Sequence, residues 1–518
     1  MEFEQFKNYF INIKQSLKSL NDDEFNYFCN AVEDTKTIIK EKKRNDFEDI
    51  MTITRKLKNL GASLDAAEIL YYDYLYYLKK EDYINAYRNV SGIISNGLLG
   101  ADSPFFLNFL NEIIENIGNN VKYMPFLAFL YNIKGIYIGS IHGDYERSKY
   151  YYKKALTICE KYNPEEFKNI TRREISFLYL IKNNYADANL QILYNSGYNK
   201  KLVDESLEYL KCPEKISDRY RMSNRITLAE ILIFCGKEKE GRGILSKLDM
   251  KESPVYKGWI KETYKKIRAN TLYFKQEYAD ALELSLEYFS ETIQSEQVIQ
   301  EQISLNFYCN MLLKILSKEK NELSYRKKKF FINNLLKILN KKDWYYGRDH
   351  SKEVRDLSVK IGEKFKLKQS KMERLTLGAL FHDIGKLNIP WFTLNKTSPI
   401  TEIDRDLLKS HCDKGGVFLD RLGLNNISYI AKNHHERLNG SGYPLGIEKM
   451  DLITQIVAVS DIYTAATTPN RKYRKAKDAD TIIKELMRYK DNMFDGNIID
   501  IFVTYLKQRT DINREEEK

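Results

Sequence analysis

Residues that break or staple a chain are scarce in this sequence. Only nine prolines and 24 glycines occur among 518 residues, so long helices can run with few interruptions. The six cysteines, Cys29, Cys159, Cys212, Cys235, Cys309 and Cys412, are scattered with no CxxC pair. That spacing argues against a disulfide scaffold and against a cysteine-ligated zinc site, and it suits reduced thiols in a cytoplasm. No stretch approaches the ~20 apolar residues that a membrane span requires. The opening Met-Glu-Phe-Glu-Gln lacks the basic start and apolar run of a signal peptide. A cytoplasmic protein without membrane insertion is expected. Histidine is also sparse: there are six, and five of them crowd between residues 350 and 435.

What is abundant is ordinary for a globular protein. The apolar fraction is 43% and the charged fraction 30%, which excludes a disordered chain. The length calls for two or three domains. The net charge of +11 is spread along the chain, with lysines beside acids. It reads as a solvated helical surface, leaves an anionic nucleotide ligand open and gives no sign of a nucleic-acid polymer as partner.

Residues 1 to about 325 show apolar positions at three- and four-residue intervals, helix after helix. A weak motif recurs: a polar turn, an aromatic, then a small residue three positions on. It occurs at Asp82-Tyr83 with Ala86, Asp144-Tyr145 with Ser148, Asn184-Tyr185 with Ala188 and Glu277-Tyr278 with Ala281. A degenerate copy stands at Lys237-Glu238 with Gly241. The small residue would let two helices approach while the aromatic fills the gap between hairpins, as in a helical solenoid; a non-repetitive helical bundle is the alternative. The fullest unit runs from Leu130 through Gly135, Gly143-Asp144-Tyr145, Ser148 and Tyr152 to Ala155-Leu156. It resembles a tetratricopeptide repeat with one extra residue before the turn. The lone His142 falls in that turn and is expected to be structural or exposed. Residues 326–340, basic at Arg326-Lys327-Lys328-Lys329 and then apolar, read as a connecting helix or a linker, and residues 341–518 as a separate domain.

In that last domain the polar residues fall on apolar helical stripes. His350 precedes Val354, Leu357 and Ile361; His382, followed by Asp383, extends the stripe of Leu375 and Ala379, with Gly385 expected to close the helix as a cap. His411 continues the stripe of Ile403 and Leu407 on a helix that Thr401 can cap. His434, with His435 beside it, follows Ile427, Ile430 and Ala431, and Asp461 follows Ile453 and Val457. A single inward histidine is usually a hydrogen-bonded core residue. Five histidines and two aspartates facing inward would each need a separate buried partner, whereas metal ions satisfy them together. Imidazole and carboxylate without thiolate suits iron, manganese, zinc or cobalt.

The stretches His382-Asp383-Ile384-Gly385-Lys386 and His434-His435-Glu436-Arg437-Leu438-Asn439-Gly440-Ser441-Gly442-Tyr443-Pro444 resemble the two signatures of the HD-GYP phosphodiesterases. Ile389-Pro390, Leu394-Asn395-Lys396, Lys409-Ser410-His411 and Val459-Ser460-Asp461 fit the same family. The resemblance implies an all-α chain in which a helical-hairpin, tetratricopeptide-like solenoid is followed by an HD-type helical-bundle metallohydrolase domain. It implies two divalent ions, with iron or manganese expected and zinc, cobalt or nickel open. Asp383 would bridge them, with His350, His382 and Asp461 on one and His411, His434 and His435 on the other. Lys386 would hold a phosphoryl oxygen or protonate the leaving oxygen, and Tyr443 would offer a stacking face or a hydroxyl. Arg471 and Arg474, with Tyr473 between, resemble the segment that clamps the dinucleotide phosphates, although Thr467-Thr468-Pro469-Asn470 is one residue long there. Thr464 stands where many relatives carry an aspartate, and Tyr346 where some carry a glutamate that helps hold a third metal; two metals are expected.

The implied activity is hydrolysis of cyclic di-GMP to pGpG, with further cleavage to GMP left open, controlled by the N-terminal array. The alternatives are another cyclic dinucleotide such as 3′,3′-cyclic GMP-AMP, or a non-catalytic dinucleotide receptor. A solenoid of this kind would also present a face to a peptide or protein partner, and a homodimer is left open.

Overall fold

The computed structural model describes the chain except residues 1–7, 11, 14–16, 18–19, 42–46, 100–101, 119, 163–166, 169–176, 212–217, 250–253, 295–297, 319–324, 344–349, 469–475 and 517–518. It is all-α, with no strand among the described residues. It divides into two compact units, Met1–Lys318 and Glu319–Lys518.

The first unit carries α1 (Asp22–Lys40), α2 (Phe47–Asn59), α3 (Ser63–Lys79), α4 (Tyr83–Ile94), α5 (Pro104–Ile117), α6 (Met124–Ile136), α7 (Tyr145–Lys161), α8 (Phe177–Ser196), α9 (Lys200–Tyr209), α10 (Asp218–Phe234), α11 (Glu238–Asp249), α12 (Pro254–Phe274), α13 (Tyr278–Gln294) and α14 (Val298–Lys318). Successive helices pair as hairpins, α3 with α4, α6 with α7, α10 with α11 and α12 with α13. All four hairpins turn in the same way. Two residues before the second helix the backbone enters positive φ, at Glu81 (+60°), Gly143 (+74°), Gly236 (+82°) and Gln276 (+64°). Asp82 and Asp144 then cap the second helices by accepting from the backbone N–H of Asn85 and Arg147, each worth about 1 kcal/mol. The small residues sit where the helices meet: Ala86, Ser148 and Ala281 are buried, and a side chain on Gly241 would lie 2.6 Å from Ile233.

The hairpin of α6 and α7 explains the extra residue in its repeat. Tyr137–Ile141 extends α6 as a π-helical turn, whose wider ring takes up one additional residue without unwinding the helix. The Ser148 hydroxyl donates to the Gly135 carbonyl at 2.6 Å, and the Tyr152 ring covers Gly135. Residues 124–141 form an apolar run of 18 residues, longer than the sequence suggested, and two thirds of it is buried inside this unit, as a core helix would be. His142 is exposed in the turn, edge-on to the Tyr137 ring.

One copy of the motif is not a turn. Asn184-Tyr185 lies in the middle of the unbroken α8. The Asn183 amide donates to Ser223 and the Asn184 amide to Asn132, both at 2.9 Å. Side chains committed to neighbouring helices cannot cap, and no positive-φ residue precedes them, so the helix runs on.

The second unit comprises α15 (Tyr325–Lys342), α16 (His350–Lys364), α17 (Gln369–Phe381), a 3₁₀ segment (Ile384–Asn388), α18 (Trp391–Asn395), α19 (Glu402–Lys409), α20 (His411–Arg421), α21 (Asn425–Asn433), α22 (Leu452–Thr467), α23 (Ala479–Tyr489) and α24 (Gly496–Glu516). Residues 326–340 therefore lie on a helix of this unit. The core is built from Val354, Leu357 and Ile361 of α16, Leu375 and Ala379 of α17, Ile430 of α21 and Ile453, Ile456 and Val457 of α22, backed by Leu486, Phe494 and Phe502. Thr401 and Asp404 form a reciprocal capping box on α19.

Two local expectations are corrected here. Gly385 is not a left-handed cap: α17 ends at Phe381 with His382 as its C-cap, and Gly385 lies inside the 3₁₀ segment. What requires glycine is a close approach, because a Cβ there would stand 1.9 Å from the His411 carbonyl oxygen. His411 does not continue the helix that Thr401 caps either. That helix stops at Lys409, and His411 opens α20 after Ser410.

Candidate metal centre

Helix ends bring the site together. His350 opens α16, His382 caps α17 with Asp383 next to it, His411 opens α20, and His434 caps α21 with His435 following. Only Asp461 comes from within a helix, α22. A residue at a helix end can turn its side chain across the end of the bundle, where those of several helices converge.

All seven of these residues meet. His350 Nε2 lies 3.0 Å from Asp461 Oδ1 and 3.9 Å from Asp383 Oδ2, and His382 Nε2 lies 3.2 Å from Asp383 Oδ2. The other Asp383 oxygen, Oδ1, is 3.2 Å from His411 Nε2 and 3.8 Å from His434 Nε2. His435 stands with its ring centre 4.1 Å from that of His434 and 5.2 Å from that of His411. Except for half-buried His435, these residues are buried.

The hydrogen bonds decide which nitrogen is available. His382, His411 and His434 each place Nδ1 on the carbonyl three residues back, of Ala379, Leu408 and Ala431, at 2.8, 2.6 and 2.9 Å. A carbonyl only accepts, so each Nδ1 carries the proton and each Nε2 offers a lone pair. His411 Nε2 and His434 Nε2 then face one another at 3.3 Å. Two lone pairs at that distance repel unless a proton or a cation lies between them. The residues thus fit a metal. The ligand atoms of His350, His382 and Asp461 lie within 4.8 Å of one another, as do those of His382, Asp383 and His434, and those of His411, Cys412, His434 and His435.

The electrostatics agree with that donor set. Burial would raise Asp383, but Lys386 and His382 hold its carboxyl well below the usual range. Asp461 is likewise held down by His350 and His382 against the effect of burial. Burial, with His382 and His411 nearby, pushes His434 down to about 3, and burial with His434 and His411 lowers His435. Burial opposes charge on His411, yet Cys412 and Asp383 beside it push it up to about 10. Burial likewise opposes charge on His382, yet Asp383 and Asp461 raise it. Two ionised carboxylates thus stand beside two imidazoles that favour an extra proton and two that do not, and a divalent cation would take the place of those protons.

Around this centre stand residues the sequence reading passed over. Asp343, just after α15, receives Lys386 Nζ at 3.1 Å while the same ammonium is 2.7 Å from Asp383. Lys342 donates to the Leu387 carbonyl at 2.6 Å and so braces the 3₁₀ segment. The Cys412 thiol lies 3.6 Å from His411 Nε2; its position next to a ligand histidine was the available signal. Glu436, fully buried, accepts from the backbone N–H of Leu445 at 2.7 Å and of Ile447 at 3.1 Å, which fastens the loop after the histidine pair. Tyr443 in that loop stacks on His435, ring centres 4.6 Å apart and planes 24° apart. Thr464 is buried one turn after Asp461. Arg471, Tyr473, Arg474 and Tyr346 lie outside the described residues.

Residues 311–498 match the family described as HD domain, whose proteins are metal-dependent. The chain is 29% identical over 225 residues to a cyclic di-GMP phosphodiesterase of Thermotoga maritima, across 41% of this chain and 61% of that protein. It is 30% identical over 164 residues to a cyclic di-GMP phosphodiesterase of Pseudomonas aeruginosa, across 30% of this chain and 39% of the relative. A 3′3′-cGAMP-specific phosphodiesterase of Vibrio cholerae is also 30% identical over 164 residues, across 31% and 38%. The chain thus spans less than two thirds of the length of these curated relatives. With the signature histidines and aspartates gathered at one end of an all-helical bundle, the C-terminal unit matches the HD domain and is similar to cyclic-dinucleotide phosphodiesterases of the HD-GYP type.

Proposed function

We propose that the protein is a metal-dependent phosphodiesterase that linearises cyclic di-GMP to pGpG. The observation that supports this most is the Asp383 carboxylate, whose two oxygens address two different imidazole groups. His350, His382 and Asp461 would hold one ion, His411, His434 and His435 the other, with Asp383 shared. Mixed imidazole and carboxylate donors suit iron or manganese, with zinc, cobalt or nickel compatible. Such ions, when bound, would supply Lewis acidity toward the phosphodiester and lower the pKa of a water. Lys386 keeps Asp383 ionised and sets a positive charge beside the place where a phosphoryl oxygen gains charge. Because the Tyr443 ring already packs on His435, its hydroxyl is the part left for substrate. Arg471 and Arg474 would clamp the phosphates.

The N-terminal unit is read as a tetratricopeptide-like region that takes a peptide or protein partner and regulates the second unit, in a cytoplasmic setting. Hydrolysis of 3′,3′-cyclic GMP-AMP is a second reading, favoured by the Vibrio cholerae relative.

The test is anaerobic purification of the full chain, measurement of metal content, and chromatography of both dinucleotides after incubation. Two ions per chain and turnover of cyclic di-GMP are expected. Asp383→Ala should lose most metal and all measurable turnover. Wild-type turnover by that variant would overturn the binuclear reading, and a metal-loaded protein that binds without cleaving would be a receptor.

A further inference from the structure

Beside the imidazoles of the second group stands a donor that the sequence motifs leave out. Cys412 is the second residue of α20 and is fully buried. Burial alone means little, since Cys29, Cys159 and Cys309 are buried as well, as unpaired cysteines often are. Company sets Cys412 apart. Among the described cysteines it is the one whose Sγ joins a cluster of ligand atoms, those of His411, His434 and His435, all within 4.8 Å of one another. The turn that carries it is held in place, because the His411 carbonyl lies against Gly385 where a Cβ has no room.

The spacings have the size that a shared ion imposes. Tetrahedral angles, with metal–nitrogen bonds of about 2.0–2.1 Å and a metal–sulfur bond of about 2.3 Å, set two nitrogens roughly 3.3–3.4 Å apart and nitrogen roughly 3.5–3.6 Å from sulfur. His411 Nε2 lies 3.3 Å from His434 Nε2 and 3.6 Å from Cys412 Sγ. A thiol can also donate its proton to one imidazole nitrogen at that distance. That bond leaves the His434 Nε2 lone pair facing His411, with His434 Nδ1 already committed to the Ala431 carbonyl. A cation answers all three donors at once.

We propose that Cys412 binds the second ion as a thiolate, alongside the imidazoles of His411 and His434. The thiol gives up its proton to solvent as the metal–sulfur bond forms, and no electron moves. One sulfur among imidazoles makes this position softer than that of His350, His382 and Asp461, so it favours zinc or cobalt over manganese. The proposal rests on the binuclear reading given above.

The full-length chain is stripped of metal with a chelator and titrated with cobalt(II), whose spectrum reports sulfur bonding as a charge-transfer band in the near ultraviolet. Two cobalt ions per chain are expected, with the band growing alongside one of them. Cys412→Ser should abolish the band, weaken one ion by about tenfold or more, and leave the other ion and the circular dichroism unchanged. Zinc X-ray absorption of the unsubstituted protein gives a reading free of any variant, and a sulfur neighbour at about 2.3 Å is expected. Two cobalt ions without the band, a band that survives in Cys412→Ser, or a zinc environment of nitrogen and oxygen alone would overturn the thiolate while the binuclear reading stands. Failure to take up two ions would overturn the binuclear reading, and the thiolate with it.

Discussion

Lys386 stands between two carboxylates, 2.7 Å from Asp383 and 3.1 Å from Asp343, and this placement separates its role from that of a metal ligand. Lys386→Ala removes a charge that matters most when the phosphoryl oxygens gain charge, so kcat should fall by about 10²-fold with metal content near wild type. Steady-state kinetics checks this: a rise confined to KM would make Lys386 a binding residue only. Asp73 on α3 poses a different residue-scale problem. It is fully buried; one oxygen accepts from the Asn89 amide at 2.7 Å and the other has no hydrogen-bond partner. Burial pushes its carboxyl up to about 6 from 3.8, with the Asn89 bond offsetting part of the effect. The folded state therefore holds a proton that the unfolded state releases, and this contribution to stability is present below about pH 4 and lost as pH rises to about 6. Asp73→Asn should raise stability by about 2 kcal/mol at pH 7.5 and change it little at pH 4. Thermal melts at the two pH values check the sign; an equal effect at both would show that ionisation is not the cause.

At the scale of elements, apolar stripes of helical period were legible, and so were the turns at Asp82 and Asp144 and the cap at Thr401, because all depend on residues three or four apart. Misreadings arose where a distant partner settles a local choice. Asn184-Tyr185 resembles a turn until Asn132 takes the Asn184 amide, and Ser223 that of Asn183 before it. Gly385 resembles a cap until the first turn of α20 is set against it. That contact yields a prediction. Gly385→Ala puts a methyl group 1.9 Å from the His411 carbonyl oxygen, and neither backbone can give way cheaply. A loss of roughly 1–3 kcal/mol in stability and weaker metal binding are expected, read by denaturant unfolding and metal titration. A variant of wild-type stability would mean that the 3₁₀ segment moves freely.

For the whole molecule, the division falls between Lys318 and Glu319, and α15 contributes Lys342 and leads to Asp343 beside the metal centre. A chain beginning at Glu319 keeps that helix intact, whereas one beginning near residue 330 would cut it. The shorter chain should load two metals per molecule and hydrolyse cyclic di-GMP at a basal rate different from that of the full chain. Equal rates would leave the N-terminal unit a tether. The sequence by itself determined the residue types, the helical periodicity and the crowding of five histidines into about a sixth of the chain, enough to place a candidate metal site in the last domain, because helix formation and capping are local. Only the tertiary structure decided which atoms meet: His350 reaches Asp461 across 111 positions, Asp383 turns one oxygen to each histidine group, and Lys386 finds Asp343. The reason is physical: periodicity along a helix relates a residue to its neighbours one turn away, while distances between helices follow from how whole faces pack.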